Sequence, residues 1–343
     1  MMRLIPALLL LLTLTACAPM LRQQASLPPV GFVGPHFEAD RVVSFDGARL
    51  GLQTWAAAEE PWAVVVAVHG MNDYANAFHI AGRRWAEAGV TTYAYDQRGF
   101  GRSPLRGVWA GEALLAEDLR TVVALARARH PNAVLAVVGE SMGGSVAATA
   151  FASENPPAAD RLVLLSPGVW GFKTQPLPYR TALFLAANLT ASKVYTPPRF
   201  VTDRIYPTDN IEELRAMGRD RLMIWGARSD TLYGLVKLMS RAASQVGEDE
   251  VPTLYLYGAR DDIIPKKAAF AAAKRLQPAD RTAYYAAGHH LLTRDRQGPV
   301  VMADVLAFLR DPEAPLPSAA PPIPGAPKHV PASSSDSRRS AGL

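Results

Sequence analysis

Short apolar runs alternate with stretches of helical spacing along most of this chain. Trp62 to Val68, Val90 to Tyr95, Val134 to Val138, Arg161 to Leu165, Thr253 to Tyr257 and Arg281 to Tyr285 have the length and make-up of buried strands. Between them, Phe78 to Ala88, Glu112 to Arg129, Gly144 to Ala152, Lys266 to Leu276 and Pro299 to Arg310 carry helical spacing, the second stopped by His130-Pro131. Upstream, Arg41 to Phe45 and Arg49 to Trp55 flank Asp46-Gly47, a strong hairpin signal. The alternation predicts an α/β fold with a mostly parallel central sheet and helices on both faces. It stops after Ser166 and resumes at Thr253. The intervening stretch is proline-punctuated and helical, with no clear strand. It reads as a helical cap, 167–250, inserted over the edge where ligands bind such sheets, between core segments 41–166 and 251–311.

Val134 to Val138 runs into Gly139-Glu140-Ser141-Met142-Gly143, which fits G-x-S-x-G, and a small-residue helix follows at once. A serine on so sharp a strand-to-helix turn sits in a strained backbone with its hydroxyl exposed, and the residues two before and two after must be small. Ser141 is therefore the candidate nucleophile. A serine hydroxyl needs a base, usually histidine, oriented by a carboxylate. The ends of later strands offer both: Gly258-Ala259-Arg260-Asp261-Asp262 follows one, and Gly288-His289-His290 follows the next. The order is Ser, Asp, His.

These runs, together with His69-Gly70 and Asp96-Gln97-Arg98-Gly99-Phe100-Gly101, resemble the monoacylglycerol lipase and lysophospholipase branch of the α/β-hydrolases over roughly Val42 to Arg310. The resemblance implies the α/β-hydrolase fold. In its G-x-x-D-x-x-x-P pattern the aspartate is third after the glycine, selecting Asp261 over Asp262. In its histidine loop an arginine and aspartate follow four residues on, so Arg294-Asp295 selects His290 over His289. The family's geometry places the oxyanion hole at the backbone amides of Met71 and Met142, and ties Asp96 and Arg98 to architecture. His69 reads as a residue that stabilises its turn.

The ends of the chain add a location. Met1 to Ala16 contains Arg3 and the apolar run Leu8 to Leu12, too short to span a bilayer, and reads as a signal peptide. Leu14-Thr15-Ala16-Cys17 resembles the bacterial lipobox, whose cysteine is lipidated and becomes the new amino terminus. Cys17 is the only cysteine, so no intramolecular disulfide can form. The expectation is a lipid-anchored protein of the bacterial cell envelope, held by a tether spanning 17–40. Residues 312–343, rich in proline, alanine and serine, read as a disordered tail.

With 343 residues, 49% hydrophobic and 20% charged, the chain can bury a large core. Its net charge of +5 comes without a basic, aromatic-interleaved patch, so no nucleic-acid partner is expected. No histidine, cysteine and carboxylate set has metal-ligand spacing along the chain, and there is no phosphate loop; neither metal nor cofactor is expected. The reading is a serine hydrolase acting on lipid esters, monoacylglycerols or lysophospholipids, with the membrane reached through Cys17. Its rivals are a peptidase or acyltransferase on the same fold, and a catalytically silent envelope-binding protein.

Overall fold

The structure, a computed structural model, describes residues 20–198, 200 and 204–331. The signal segment and Cys17 lie outside the described residues. The core elements are β1 (His36–Phe37), β2 (Arg41–Val43), β3 (Arg49–Trp55), β4 (Ala63–Val68), α1 (His79–Glu87), β5 (Val90–Tyr95), α2 (Glu112–Arg129), β6 (Val134–Glu140), α3 (Met142–Phe151) and β7 (Arg161–Leu165). The intervening segment contributes α4 (Leu177–Leu189), β8 (Val194–Tyr195), α5 (Ile211–Arg219), β9 (Ala227–Arg228) and α6 (Ser229–Gln245). The core then resumes with β10 (Thr253–Gly258), α7 (Lys266–Ala273), β11 (Arg281–Tyr285) and α8 (Gly298–Arg310).

Nine strands form one sheet in the order β1-β2-β3-β5-β4-β6-β7-β10-β11. Pairing is antiparallel from β1 through β5 and parallel from there to β11. β4 is buried throughout, and its alternation divides the core: Val64, Val66 and Val68 pack with α2, α3 and α6, while Ala63, Val65 and Ala67 pack with α1 and α8. Each fully buried valine contributes about 1.5–3 kcal/mol. The central strands are therefore a rigid base, and their carboxyl ends carry the loops of interest.

One buried charge cluster locks the antiparallel edge to that base. Arg98, after β5, donates to both oxygens of Asp46 at 2.7 and 2.8 Å and to both of Asp118 on α2 at 2.6 and 2.8 Å. Asp96 accepts the backbone N–H groups of Ala75 and Arg102. Both residues brace loops.

Three segments differ from expectation. Residues 312–331 are not a disordered tail: Pro321 O accepts the Tyr284 N–H at 2.8 Å, the Ile323 N–H donates to Thr282 Oγ1, and Ile323 and Leu316 are buried against the sheet. Proline blocks helix and strand, but it does not prevent an extended strap from filling the edge beside β11. Likewise the span 17–40 is not only a tether. Within it β1 pairs with β2, Phe37 stacks on Tyr93 with ring centroids 4.7 Å apart, and buried Gln23 donates to Val108 O at 2.8 Å. The Leu21 N–H donates to Asp230 Oδ2 at 3.1 Å, joining this segment to α6. Finally, β8 and β9 form a two-stranded antiparallel pair in a stretch that reads as free of strands, since two residues are too few to show a period.

Candidate active site

Ser141 sits between β6 and α3 with φ 53° and ψ −117°, a left-handed conformation that a non-glycine residue adopts only when its surroundings force it. The forcing contacts are backbone bonds: the Ser141 N–H donates to Leu165 O at 3.0 Å, and Ser141 O accepts from Gly168 N at 2.8 Å. The flanking glycines are needed for close approach. A Cβ on Gly143 would lie 2.0 Å from Val68 O, and one on Gly139 would lie 2.6 Å from Gly143 O. α3 thus packs directly on the ends of β4 and β6. Ser141 Oγ is partly exposed and makes no hydrogen bond among the described residues.

The loops after β10 and β11 bring Asp261 and His290 together. His290 Nδ1 lies 2.8 Å from Asp261 Oδ2, and both residues are buried. Asp261 Oδ1 accepts the N–H groups of Ile263 and Ile264, each at 2.8 Å, so the carboxylate is fixed by its own turn. A carboxylate only accepts, so Nδ1 carries a proton, and in the neutral ring the lone pair is left on Nε2. Burial disfavours the imidazolium, but the charge and hydrogen bond of Asp261, with Glu140 beyond, outweigh it and raise the His290 pKa above its usual value. Asp262 is exposed. His289 is buried and turned toward Asp295, not Asp261.

Arg294, almost fully buried, connects the histidine loop to the elbow. It donates to Glu140 Oε1 at 2.6 Å and to Asp73 Oδ2 at 2.8 Å, with Glu213 Oε1 of α5 at 4.0 Å. One guanidinium therefore holds the residue before Ser141, the loop after His69-Gly70, and a helix of the inserted segment. Burial pushes the Glu140 carboxyl up, with Arg294 opposing and Asp73 reinforcing the rise. The sequence signals for this network are slight: an acid inside G-x-S-x-G and an arginine after the histidine. What joins them is packing between segments 154 residues apart.

Of the two backbone amides, one belongs to the elbow and the other to the loop beside it. The Met142 N–H is the first of α3, among the four N-terminal amides of a helix that lack an intrahelical acceptor and carry its positive end. Met71 follows Gly70, whose Cβ position would lie 3.2 Å from Ser141 Cβ. Its loop is held from the inserted segment by Ile224, which donates its N–H to Asn72 O at 3.0 Å. His69 cannot serve as a second base. Its Nδ1–H donates to Gly70 O at 2.7 Å and its Nε2 accepts from Gln97 N–H at 2.9 Å, while burial lowers its pKa against the pull of Asp73 and Asp96.

The arrangement offers a partly exposed hydroxyl on a strained turn, an imidazole oriented by a fixed carboxylate, and an amide at a helix start. Those are the parts of nucleophilic acyl transfer. In the inserted segment, Phe172, Leu177, Arg180, Thr181, Phe184 and Tyr233 line an open, mainly apolar groove of about 330 Å³ between α4 and α6.

Comparison with known proteins agrees with this geometry. Residues 59–297 match the Hydrolase_4 family, described as serine aminopeptidase, S33. A monoacylglycerol lipase of Mycolicibacterium smegmatis is 26% identical over 278 residues, covering 77% of this chain and 93% of that protein. A human monoglyceride lipase is 23% identical, covering 76% and 86% respectively. Among solved structures, a soluble variant of monoglyceride lipase from Saccharomyces cerevisiae, in complex with a substrate analogue, superposes with a TM-score of 0.66 at 18% identity. It covers 85% of this chain and 98% of that one. A carboxyl esterase from Bacillus coagulans gives 0.64 at 18% identity, over 79% and 96%. The fold is that of the α/β-hydrolases.

Proposed function

From the premise that this chain belongs to the serine aminopeptidase S33 family, we propose that it is a serine hydrolase cleaving carboxylic esters of lipids, monoacylglycerols or lysophospholipids. Ser141 Oγ attacks the ester carbonyl while His290 Nε2 takes its proton. Asp261 holds the ring and balances the imidazolium, and the amides of Met71 and Met142 receive the oxyanion. Collapse breaks the ester C–O bond, the alcohol leaves with the proton from His290, and water repeats the sequence to free the fatty acid and Ser141. The observation that carries this reading is the buried 2.8 Å Asp261–His290 pair on a loop that Arg294 ties to Glu140, next to Ser141. Its support as a lipid esterase is the likeness to monoacylglycerol and monoglyceride lipases, together with the apolar groove between α4 and α6.

We further propose that the protein belongs to the bacterial envelope with a lipidated Cys17, a reading supported by Leu14-Thr15-Ala16-Cys17. Residues 167–246 carry eleven lysines and arginines against six aspartates and glutamates. That excess would draw the inserted segment toward anionic lipid, each cation near the surface contributing about 1 kcal/mol. Mass spectrometry of the mature amino terminus tests the anchor; an unmodified residue other than Cys17 in first place refutes it.

The enzymatic reading is tested with a fluorophosphonate probe and a panel of acyl esters from two to sixteen carbons beside aminoacyl amides. Ser141→Ala should lose labelling and at least ~10⁴-fold in turnover while melting like the parent. kcat/KM should climb with chain length, each buried methylene adding up to about 0.8 kcal/mol. A folded Ser141→Ala protein with near-normal esterase activity refutes the nucleophile. Preference for the amides would move the enzyme to the peptidase named in the family description.

A further inference from the structure

One cluster of metal-ligating side chains lies outside the proposed machinery. Asp209, His289 and Asp295 each place a potential ligand atom within 4.8 Å of the others. Linear spacing conceals the set, because Asp209 precedes Asp295 by 86 positions. His289 is 92% buried, at 8% exposure, yet its Nδ1 has no hydrogen-bond partner. It approaches Asp295 Oδ1 to 3.4 Å without the alignment of a hydrogen bond. A polar nitrogen buried without a partner costs stability and calls for a ligand to complete it.

The geometry points to a divalent transition-metal site, zinc-like in character, formed by His289 Nδ1 and the carboxylates of Asp209 and Asp295. Tetrahedral coordination at about 2.0–2.2 Å separates ligand atoms by about 3.4 Å, and the His289–Asp295 separation already has that value. Two carboxylates and a neutral imidazole match a dication in charge. The mixture of nitrogen and oxygen donors favours zinc and its neighbours over calcium, which takes six to eight oxygens. Three protein ligands leave a fourth position for water, and half-buried Asp209 provides the way in from solvent.

The surroundings hold the ligands in place before any ion arrives. The Asp295 carboxylate accepts the backbone N–H of His289 at 2.7 Å and of Asp209 at 3.3 Å, and Asp209 Oδ1 accepts the N–H of Arg296 at 2.8 Å. Alongside, Leu291 donates its N–H to Pro207 O at 2.8 Å, and Thr208 Oγ1 donates to Arg294 O at 3.1 Å. These bonds lace the segment before α5 to the loop that carries His290. An ion here would clamp the inserted segment to that loop. Metal binding does not depend on the hydrolase reading, so each can fail without the other.

The test uses the tag-free mature protein, stripped with a chelator and then dialysed against Zn²⁺ or Ca²⁺. Bound metal is measured by atomic emission and stability by thermal melting. One zinc per chain is expected, with Tm raised by roughly 4 °C at a hundredfold excess over Kd. Asp209→Asn and His289→Asn should each abolish that stoichiometry and shift. Asp209→Asn should still label with the fluorophosphonate, which shows that it folds. Zinc far below one per chain, undiminished zinc in a labelling-competent Asp209→Asn protein, or a response to Ca²⁺ without Zn²⁺ overturns the assignment.

Discussion

Replacing Arg294 by methionine removes the one charge that faces both Glu140 and Asp73 while keeping most of the side chain's volume. The guanidinium makes charge-assisted bonds of 2.6 and 2.8 Å to two carboxylates in a site that is almost fully buried. Such bonds contribute about 1.5–3 kcal/mol each, and removing one partner of a buried ion pair costs about 3–5 kcal/mol, because the other charge is left without compensation. Here two acids are left. The cost is capped by protonation of Glu140, whose pKa burial already raises and which Arg294 had been holding down. A group whose folded pKa lies above its unfolded value stabilises the fold fully below the unfolded value and loses that contribution as pH rises. The penalty in Arg294→Met should therefore be least near pH 5 and grow to about 3–5 kcal/mol at pH 8, or roughly 4–7 °C in Tm. The double variant Arg294→Met/Glu140→Gln should recover about 1–3 kcal/mol of it. Urea melts of parent, single and double variants at pH 5, 6.5 and 8 read all three quantities. A loss below about 1 kcal/mol, a loss independent of pH, or a double variant no better than the single one refutes the reasoning.

The remaining expectations concern the base, the elbow and the strap. Because the His290 pKa is raised, kcat/KM should rise with pH through a midpoint above the usual value of about 6.5, since only the neutral ring accepts a proton. The same pair stabilises the fold fully below about 6.5 and loses that increment as pH rises through the raised value, so activity and this contribution run in opposite directions; a midpoint below 6 contradicts the assignment. Gly143→Ala should lose soluble, folded protein, because its Cβ meets backbone 2.0 Å away. Gly218→Ala on α5, where nothing lies within 4 Å, should be neutral or stabilising by about 0.5–1 kcal/mol; equal melting of the two would refute the close-approach argument. Ile323→Ala should cost about 2–4 kcal/mol in chemical melts, whereas a tail that never packs would show no change.

What was legible in the sequence is whatever short-range pattern encodes. β4 and the first five residues of β6 are continuous apolar runs, β5 is a β-branched and aromatic run that starts after Gly89, Asp46-Gly47 announces its hairpin, and Gly139 to Gly143 announces a turn. The sequence explained those glycines by strain at Ser141; the structure adds a second reason, the approach of α3 to β4, which no local pattern records. Arg294 was visible only as a marker for choosing His290, because its partners Glu140 and Asp73 are brought to it by folding. The Asp209, His289 and Asp295 cluster was hidden for the same reason. Composition conceals the strap beyond Pro312, because richness in proline and alanine describes the lack of regular structure, and an edge strand can be covered without any. β8 and β9 are too short to display a period.

The hydrogen bond from the Leu21 N–H to Asp230 sets the length of a leash. Four residue steps separate Cys17 from Leu21, and an extended chain covers at most about 14 Å in that distance. A lipid on Cys17 would therefore hold the start of α6 within about 14 Å of the membrane interface. Asp230 in turn donates its N–H to Ala191 O, beside the exposed Leu189, Val194 and Tyr195. Such an anchor would keep these exposed apolar side chains near the bilayer. With such an anchor, diffusion to a lipid substrate would become a search in two dimensions, and a released fatty acid would find a leaflet close at hand.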